Sequence, residues 1–429
     1  MVPSSLHSGK RLFTWHLRIV LPHTHYYGSL LCMSTDRHPS GAARRVQRRV
    51  NLLNTLNELV SRPLSISAIA MHTGVSRRAA ENVVADLAEL GWLTQVTPDN
   101  SFGRPAIRWI VNPSTIHVLG LDIGAHHCTA MVSNFRGDLL GEVTEELTAH
   151  MPADERITAA VTVAKKAMSR ASITPEELTV CAAASPGVID NGQVTYFGGT
   201  GMPGWQGTNI AAEISRQLGR MTIVAGDCAL GALGESWLGA ASGHADVVYV
   251  LSGERTGAAA IIDGRIHRGH LGGAGLIGEL EAIRWKDIEA ETFISHHYPT
   301  HPGSRSAVFE SARISPDGPA AEAVKEFADA LSLGSAAMVL ALGPSHVVIG
   351  GKYSAYSDTF LDRYMENLKH WCPIMPEISI SALGPRAICL GAVRLGIDHL
   401  NDALTTIAQS SEVFPSAQGF NKSFLLASA

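Results

Sequence analysis

Residues 269–280, GHLGGAGLIGEL, are rich enough in glycine to form a loop around a ligand. Backbone N–H groups in such loops bind anions, and nearby carboxylates bind hydroxyl groups or accept protons. Yet Leu276 and Ile277 stand at the centre of this stretch, where a binding loop would present polar groups. The stretch therefore indicates a working ligand loop, a loop that has lost its contacts, or a tight turn.

The elements that position this loop are predicted by β-rich runs separated by glycine. Residues 117–143 predict a strand, a turn at Asp122-Ile123-Gly124, a second strand, a turn at Gly137-Asp138 and a third strand. Alone, the Asp-Ile-Gly turn indicates only a hairpin. The chain has 429 residues, of which 45% are hydrophobic and 17% charged, which is typical of a globular protein with two or three domains.

Residues 44–112 predict a winged helix-turn-helix domain. Apolar residues recur at three- and four-residue steps over residues 46–60, which predicts an amphipathic helix. Two helices joined by a tight turn should follow. Ser65 is placed to cap the first of them, Gly74 to make the turn and Ser76 to cap the second.

The outer face of the second of these helices carries residue types that contact DNA. Arginine pairs with guanine and asparagine with adenine in the major groove, and two β-rich runs around residues 98–101 predict a wing. The expected base and phosphate contacts are Ser76, Arg77, Arg78, Asn82 and Arg104. The alternative is a three-helix bundle with solvated arginines, but the cap, turn and wing signals agree on DNA binding.

The charge distribution supports a nucleic-acid partner. Residues 44–110 carry nine arginines against five acids, and residues 1–43 have a net charge of +3. The whole chain has a net charge of −5, so residues 111–429 carry −12. A basic head on an acidic body predicts that the head contacts a polyanion, here a double-stranded DNA operator.

The cysteines and the N-terminal segment bear on localisation. Six cysteines without a C-x-x-C pair argue against a disulfide framework, and no apolar run is long enough to cross a bilayer. We therefore expect a cytoplasmic, nucleoid-associated protein without a membrane partner. Residues 1–43 are expected to be a disordered arm or, up to Met33, the result of a start codon placed too early.

Several motifs occur in one order along the rest of the chain, and together they resemble the ROK family of repressors, open reading frames and sugar kinases. They are CAAASPGVIDNGQV (181–194), GWQGTNIAAEISRQLG (204–219), VAGDCALGALGESWLGAA (224–241), the segment from 249 to 280, and LGPSHVVIGGKYS (342–354). The preceding winged helix is similar to the repressor branch of that family.

The resemblance implies an α/β fold, an actin-like (ribonuclease H-like) body of two lobes behind the winged helix. The expected boundaries are a first lobe at 113–225 completed by a helix at about 390–410, a second lobe at 226–390, and a C-terminal tail at 411–429. In this family a sugar binds in the cleft between the lobes.

The family pattern is altered at the positions that would bind sugar. Its N-D pair becomes Gly226-Asp227, which retains the general base and loses the asparagine. Its A-G-E-x-G-H motif is matched at residues 274–279, with Leu276 for Glu and Glu279 for His. The ligand contacts that the resemblance implies are Gly187, Asp227, Glu279 and, aligned less directly, Glu289.

The phosphate and zinc motifs are altered as well. SGERTGAAA (252–260) retains only two glycines of the family's phosphate loop and has Glu254 where phosphates would approach, an anion that Arg255 is placed to offset. The cysteine module that binds zinc in the family is missing, so we expect no metal and no cofactor. Other histidines of this region are His267, His270, His296 and His297, and solvation explains them more simply than a metal does.

These features favour a DNA-binding transcriptional regulator, a repressor of carbohydrate-metabolism genes whose kinase-like effector domain has lost catalysis. We expect a homodimer or tetramer with a sugar or sugar-phosphate effector. No catalytic residue is expected, with Asp122 and Asp227 vestigial. The alternatives are an ATP-dependent hexose kinase and a regulator that responds to a ligand other than a sugar.

Overall fold

The computed structural model describes residues 41–96, 107–297, 304–410 and 413–424. Arg104 and the predicted turn at residues 98–101 lie outside these ranges, as does the N-terminal segment before Gly41. Within them, no helix is both long and apolar enough to cross a membrane.

The N-terminal domain has the helix and strand order of a winged helix. Its elements are α1 (Gly41–Ser61), β1 (Leu64–Ser65), α2 (Ile66–Thr73), α3 (Arg77–Glu89), β2 (Leu93–Val96) and β3 (Arg108–Val111). The Ser65 hydroxyl accepts a hydrogen bond from the Ala68 N–H, so it caps α2 as expected. Ser76 caps α3 in the same way, and Gly74 turns between the helices with a φ of 71°. The pairing of β1 with β3 was not predicted.

The first lobe is built on a five-stranded sheet with the order β10-β7-β4-β5-β6. Its elements are β4 (His117–Ile123), β5 (His127–Asn134), β6 (Leu139–Glu146), α4 (Ala153–Arg170), β7 (Leu178–Ser185), β8 (Val188–Asp190), β9 (Gln193–Tyr196), α5 (Ile210–Leu218) and β10 (Thr222–Gly226). Strands β4 to β6 form an antiparallel meander, whereas β7 and β10 are added in parallel.

The second lobe repeats this arrangement in a sheet with the order β13-β12-β11-β14-β15. Its elements are α6 (Asp227–Leu238), β11 (Val247–Ser252), β12 (Thr256–Ile262), β13 (Arg265–Ile266), α7 (Ala290–His297), α8 (Arg305–Ile314), α9 (Pro319–Leu342), β14 (His346–Gly350), α10 (Leu361–Trp371) and β15 (Glu377–Ile380). Again an antiparallel meander comes first and two parallel strands follow. The two lobes are therefore a structural duplication.

Two C-terminal helices connect the body to the winged helix. They are α11 (Ala387–Ser410) and α12 (Ala417–Lys422). The Arg49 Nε donates to the Ala408 carbonyl (2.9 Å), and the Trp92 indole N–H donates to the Pro415 carbonyl (2.8 Å). Trp92 is fully buried, and its ring lies 5.6 Å from that of Phe420. The segment predicted as a tail thus contributes residues to a core that it shares with the winged-helix domain.

Candidate functional site

The predicted recognition residues in α3 share one exposed surface. Ser76 caps the helix from the position before it, and the side chains of Arg77, Arg78 and Asn82 are all exposed. Arg77 pairs with Glu81 one turn further on, with Nε and Oε1 separated by 3.1 Å. The opposite side of α3 is buried in the domain core, so the helix is held by its apolar face and leaves these polar groups accessible.

A cavity of about 190 Å³ lies between segments from the two lobes, and it brings together the four residues implied as ligand contacts. Gly187, Asp227, Glu279 and Glu289 all line it, whereas Asp122 does not. Its volume is below the roughly 300–1,000 Å³ usual for drug-sized ligands, which favours one small molecule.

Asp227 lies at the first position of α6, directly after β10. Its Oδ1 accepts a hydrogen bond from the Cys228 N–H at 2.7 Å. Burial, helped by the negative charge of the nearby Asp122, raises the pKa of Asp227 to about 6 despite the lowering effects of Cys228 and Arg255. Such a carboxyl accepts a ligand hydroxyl when it is ionised and donates to the ligand when it is protonated.

Gly226 stands where the family has asparagine, and no steric obstacle explains that change. A Cβ added to Gly226 would meet only the Gly187 carbonyl oxygen, at 3.7 Å, which is an ordinary contact. Gly187 itself is required, because its φ is +98° and a Cβ there would lie 2.5 Å from the Tyr196 carbonyl oxygen. The backbone of the site is therefore preserved, while one side chain that could bind a sugar is absent.

The glycines of GHLGGAGLIGEL have a structural role. Gly272 and Gly275 have φ values of +78° and +87°, and a Cβ on them would lie 2.4 Å from the Ile189 oxygen and 2.2 Å from the Ala258 oxygen. The loop therefore packs closely against strands of both lobes. Leu276 is 42% exposed and lines the cavity, so its replacement of a carboxylate removes a polar contact from the wall.

Glu279 is engaged by other side chains of the protein. The Lys286 Nζ donates to its Oε2 at 2.7 Å, and the Tyr196 hydroxyl also hydrogen-bonds to it. Burial alone would raise the pKa of Glu279, but these two bonds outweigh it and lower the pKa. For Glu289, burial raises the pKa and Arg255 only partly offsets that effect. Glu289 is thus the more available of the two carboxylates for a ligand.

The β11–β12 hairpin, which carries the altered phosphate loop, corrects one expectation. Arg255 does not offset Glu254. The Glu254 carboxylate accepts hydrogen bonds from Lys352 (2.8 Å) and the Tyr353 hydroxyl (2.7 Å), which outweigh burial and lower its pKa. Lys352 and Tyr353 follow β14, far along the chain, and nothing in the local sequence pointed to them.

Arg255 instead turns into the cavity and was missed as a site residue. Its guanidinium carbon lies 4.1 Å from the centre of the Phe197 ring, and its Nη2 lies 3.6 Å from the Met202 sulfur. Across the described ranges, no carboxylate comes within ion-pair distance of this guanidinium. Burial lowers its pKa, an effect that Asp227 and Glu289 oppose. The sequence signal was available, since an arginine had replaced a small residue in a phosphate loop.

Asp122 forms a separate pair on the β4–β5 hairpin. It is 3% exposed, and its Oδ2 lies 3.1 Å from the His127 Nε2. The hydrogen bond to Asp122 raises the pKa of His127. The acid that would position a metal–nucleotide complex is therefore paired with a neighbouring imidazole.

Comparisons with known proteins agree with the architecture. Residues 118–395 match the ROK family. The chain is 22% identical over 399 residues to the xylose repressor of Caldicellulosiruptor bescii, covering 82% of this chain and 96% of that protein. It is 24% identical over 227 residues to the N-acetylglucosamine repressor of Escherichia coli O157:H7, covering 51% of this chain and 54% of that one.

Solved structures confirm the predicted fold. A ROK family transcriptional regulator described as a homologue of the E. coli MLC protein superimposes with a TM-score of 0.64 at 16% identity, covering 85% of this chain and 99% of that one. A ROK hexokinase from Thermus thermophilus superimposes with a TM-score of 0.53 at 24% identity, covering 67% and 99%. Regulators and kinases share this body, so the fold by itself does not separate the two activities.

Proposed function

Because the chain belongs to the ROK family, we propose that it is a DNA-binding transcriptional repressor of carbohydrate-metabolism genes with a kinase-like effector domain that does not phosphorylate. The observation that carries this proposal is the joint occurrence of an exposed recognition face on α3 and a cleft whose phosphate hairpin is closed by Glu254 and its partners. Two relatives, one named xylose repressor and the other N-acetylglucosamine repressor, support a sugar-responsive regulator.

The proposed DNA contacts are Arg77, Arg78 and Asn82 at the start of α3, with Ser76 positioned to bind a phosphate. The predicted contribution of Arg104 belongs to the wing, outside the described residues. A homodimer or tetramer would present two such helices to the two halves of an operator, because a two-fold axis in the protein matches a palindromic site.

The effector that fits the cavity best is a small anionic sugar derivative, such as a sugar phosphate or sugar acid. Arg255 is a fork of N–H donors without a carboxylate partner, and guanidinium groups bind phosphate and carboxylate through paired hydrogen bonds. Asp227 and Glu289 are then available to the hydroxyl groups of the same ligand. The hydroxyl groups of a neutral sugar would accept hydrogen bonds from this half-buried guanidinium but would not balance its charge.

A contiguous set of contacts connects this cavity with the DNA-binding domain. Helix α6 begins at Asp227 and packs tightly on α11, where a Cβ added to Gly391 would lie 1.8 Å from the Leu230 carbonyl oxygen. The other end of α11 accepts the hydrogen bond from Arg49 of α1. Because tightly packed helices shift together, ligand binding at Asp227 has a physical route to α1.

A footprint of the full chain on the DNA around its own gene tests the DNA-binding proposal. We expect Arg78→Ala to weaken specific binding by about 1–3 kcal/mol, the usual contribution of an arginine–guanine contact. The matched control is Arg265→Ala, which removes an exposed arginine on β13 and should leave the footprint unchanged. If Arg78→Ala binds like the control, α3 is not the recognition helix.

Sugar kinase activity is the second candidate function, because Asp122 and Asp227 are retained. An assay of ADP release across common hexoses and amino sugars tests it directly. We expect no turnover above that of Asp227→Asn, since the phosphate hairpin carries an ionised Glu254 fixed by two hydrogen bonds. Turnover that Asp227→Asn abolishes would establish the kinase and remove the proposed loss of catalysis.

A further inference from the structure

Three side chains that can bind a metal lie close together at the end of the second lobe's sheet where β14 and β15 begin. This end is opposite the ligand cleft. His244 lies in the loop before β11, while His346 and Glu377 are the first residues of β14 and β15. One ligand atom from each lies within 4.8 Å of the others. The cleft is at the other end of β11, where Leu251 lines the cavity, so the cluster is a separate feature.

The backbone brings these groups together. His346 and Glu377 are register partners across the parallel β14–β15 pair. The His346 Nδ1 lies 3.7 Å from the Glu377 Oε2, and the His244 Nε2 lies 4.0 Å from the same oxygen. The two imidazole rings are 4.4 Å apart between their centroids. Each of the three side chains thus offers one ligand atom close to those of the other two.

His346 is the strongest sign that the cluster has an absent partner. It is 1% exposed, and in the part of the chain that the structure describes neither of its ring nitrogens has a hydrogen-bond partner. A buried polar group without a partner costs free energy, and native proteins almost always supply one. The side chains of His244 and Glu377 are 30% and 64% exposed, so an ion from solution can reach the buried nitrogen.

Ser345 orients His244 for this role. Its hydroxyl donates to the Asp246 carbonyl oxygen at 3.0 Å and lies 3.4 Å from the His244 Nδ1. Because the hydroxyl hydrogen is used on Asp246, its oxygen accepts the proton of Nδ1. That arrangement leaves the Nε2 lone pair facing Glu377, as an outer hydrogen bond does for a metal-bound histidine.

We propose that His244, His346 and Glu377 form a binding site for a first-row divalent transition metal ion of the Zn²⁺ type. Two imidazoles and one carboxylate are a ligand set that Zn²⁺ accepts, with water in the fourth position. The ion joins the loop before β11 to the starts of β14 and β15, and it gives the buried nitrogen of His346 a partner. The three residues are far apart in the sequence and form no motif, so no sequence pattern pointed to them.

Equilibrium dialysis of the full chain against Co²⁺ and Zn²⁺ tests the site. Wild type should bind one more equivalent of metal than His244→Gln and Glu377→Gln, and bound Co²⁺ should show a ligand-field spectrum that both variants lose. His370→Gln is the matched control, because it removes an exposed histidine of α10 that is not among the three grouped side chains. Equal stoichiometry in wild type and variants, or a spectrum that survives in both, overturns the proposal.

A second measurement distinguishes metal binding from a general effect of the substitutions. Added Zn²⁺ should raise the melting temperature of wild type and of His370→Gln but not of Glu377→Gln, because an ion that binds only the folded state stabilises it. Glu377 is largely exposed, so its variant should fold. Ser345→Ala should retain the site with affinity weakened about tenfold or more, as losses of outer hydrogen bonds do. A cluster that binds protons alone gives the same melting temperature with and without Zn²⁺, which contradicts the proposal.

Discussion

Glu254 and Arg255 are neighbours on one hairpin, but their side chains lie in different surroundings, and only Arg255 lines the cavity. We call the side of Glu254 the closed half, because its carboxylate already accepts hydrogen bonds from Lys352 and Tyr353. We call the side of Arg255 the open half, because Arg255, Asp227 and Glu289 face a cavity without an ion pair among them. Charged groups that already bind one another are not free for a ligand, whereas unpaired ones that line a cavity are available to it.

Replacing Arg255 tests most directly whether the open half binds an anionic ligand. We expect Arg255→Gln to weaken binding of an anionic sugar by about 1.5–3 kcal/mol, the usual contribution of hydrogen bonds to a charged group. Thermal-shift titration and calorimetry with a hexose phosphate and the matching neutral hexose measure this loss. Arg255→Lys keeps the charge but not the fork, so it should recover only part of the affinity.

The assignment fails if Arg255→Gln binds the anionic sugar as well as wild type does. A preference of wild type for the neutral hexose would also contradict it, while leaving DNA binding by α3 untouched.

Asp227 gives a pH-dependent test of the open half. Its pKa in the folded protein, about 6, lies above its ordinary value of 3.8, chiefly because of burial. The stability linked to its proton is therefore fully present below pH 3.8 and is lost as the pH rises through about 6. We expect the melting temperature of wild type to fall relative to that of Asp227→Asn over this interval, and Asp317→Asn, an exposed acid, to follow wild type.

A melting-temperature difference between Asp227→Asn and wild type that stays constant from pH 4 to pH 7 would show that the carboxyl does not titrate in this range. Asp227 would then not be the buried carboxyl that the open half requires.

Contacts between residues close together in the chain could be predicted from the sequence, whereas contacts between distant residues could not. Ser65, Gly74 and Ser76 were predictable because a cap or a turn depends on residues three or four positions apart. The pairing of Glu254 with Lys352 was not, because it depends on how β11 and β14 lie side by side.

The same limit explains two other features. The residues of the cleft could be predicted from motif order, but the orientation of Arg255 depends on Phe197 from the other lobe. The contact of Trp92 with Phe420 joins opposite ends of the chain, and no period or motif predicts such a contact.

The smallest effect on stability and ligand binding is expected from substitutions in the closed half, beside Glu254. Lys352→Met removes the cation that binds Glu254, and since the two side chains are 57% and 35% exposed, we expect a stability loss of about 0–1 kcal/mol. The pKa of Glu254 should rise, because the hydrogen bond and charge of Lys352 help to lower it. Affinity for the anionic sugar should stay within about twofold of wild type, since Lys352 does not line the cavity.

Tyr353→Phe is the companion variant, removing the second hydrogen bond to Glu254 while keeping the ring. If Lys352→Met weakens ligand binding as much as Arg255→Gln does, the two halves act as one site, and the ligand extends across the hairpin onto the side where phosphates bind in the kinases.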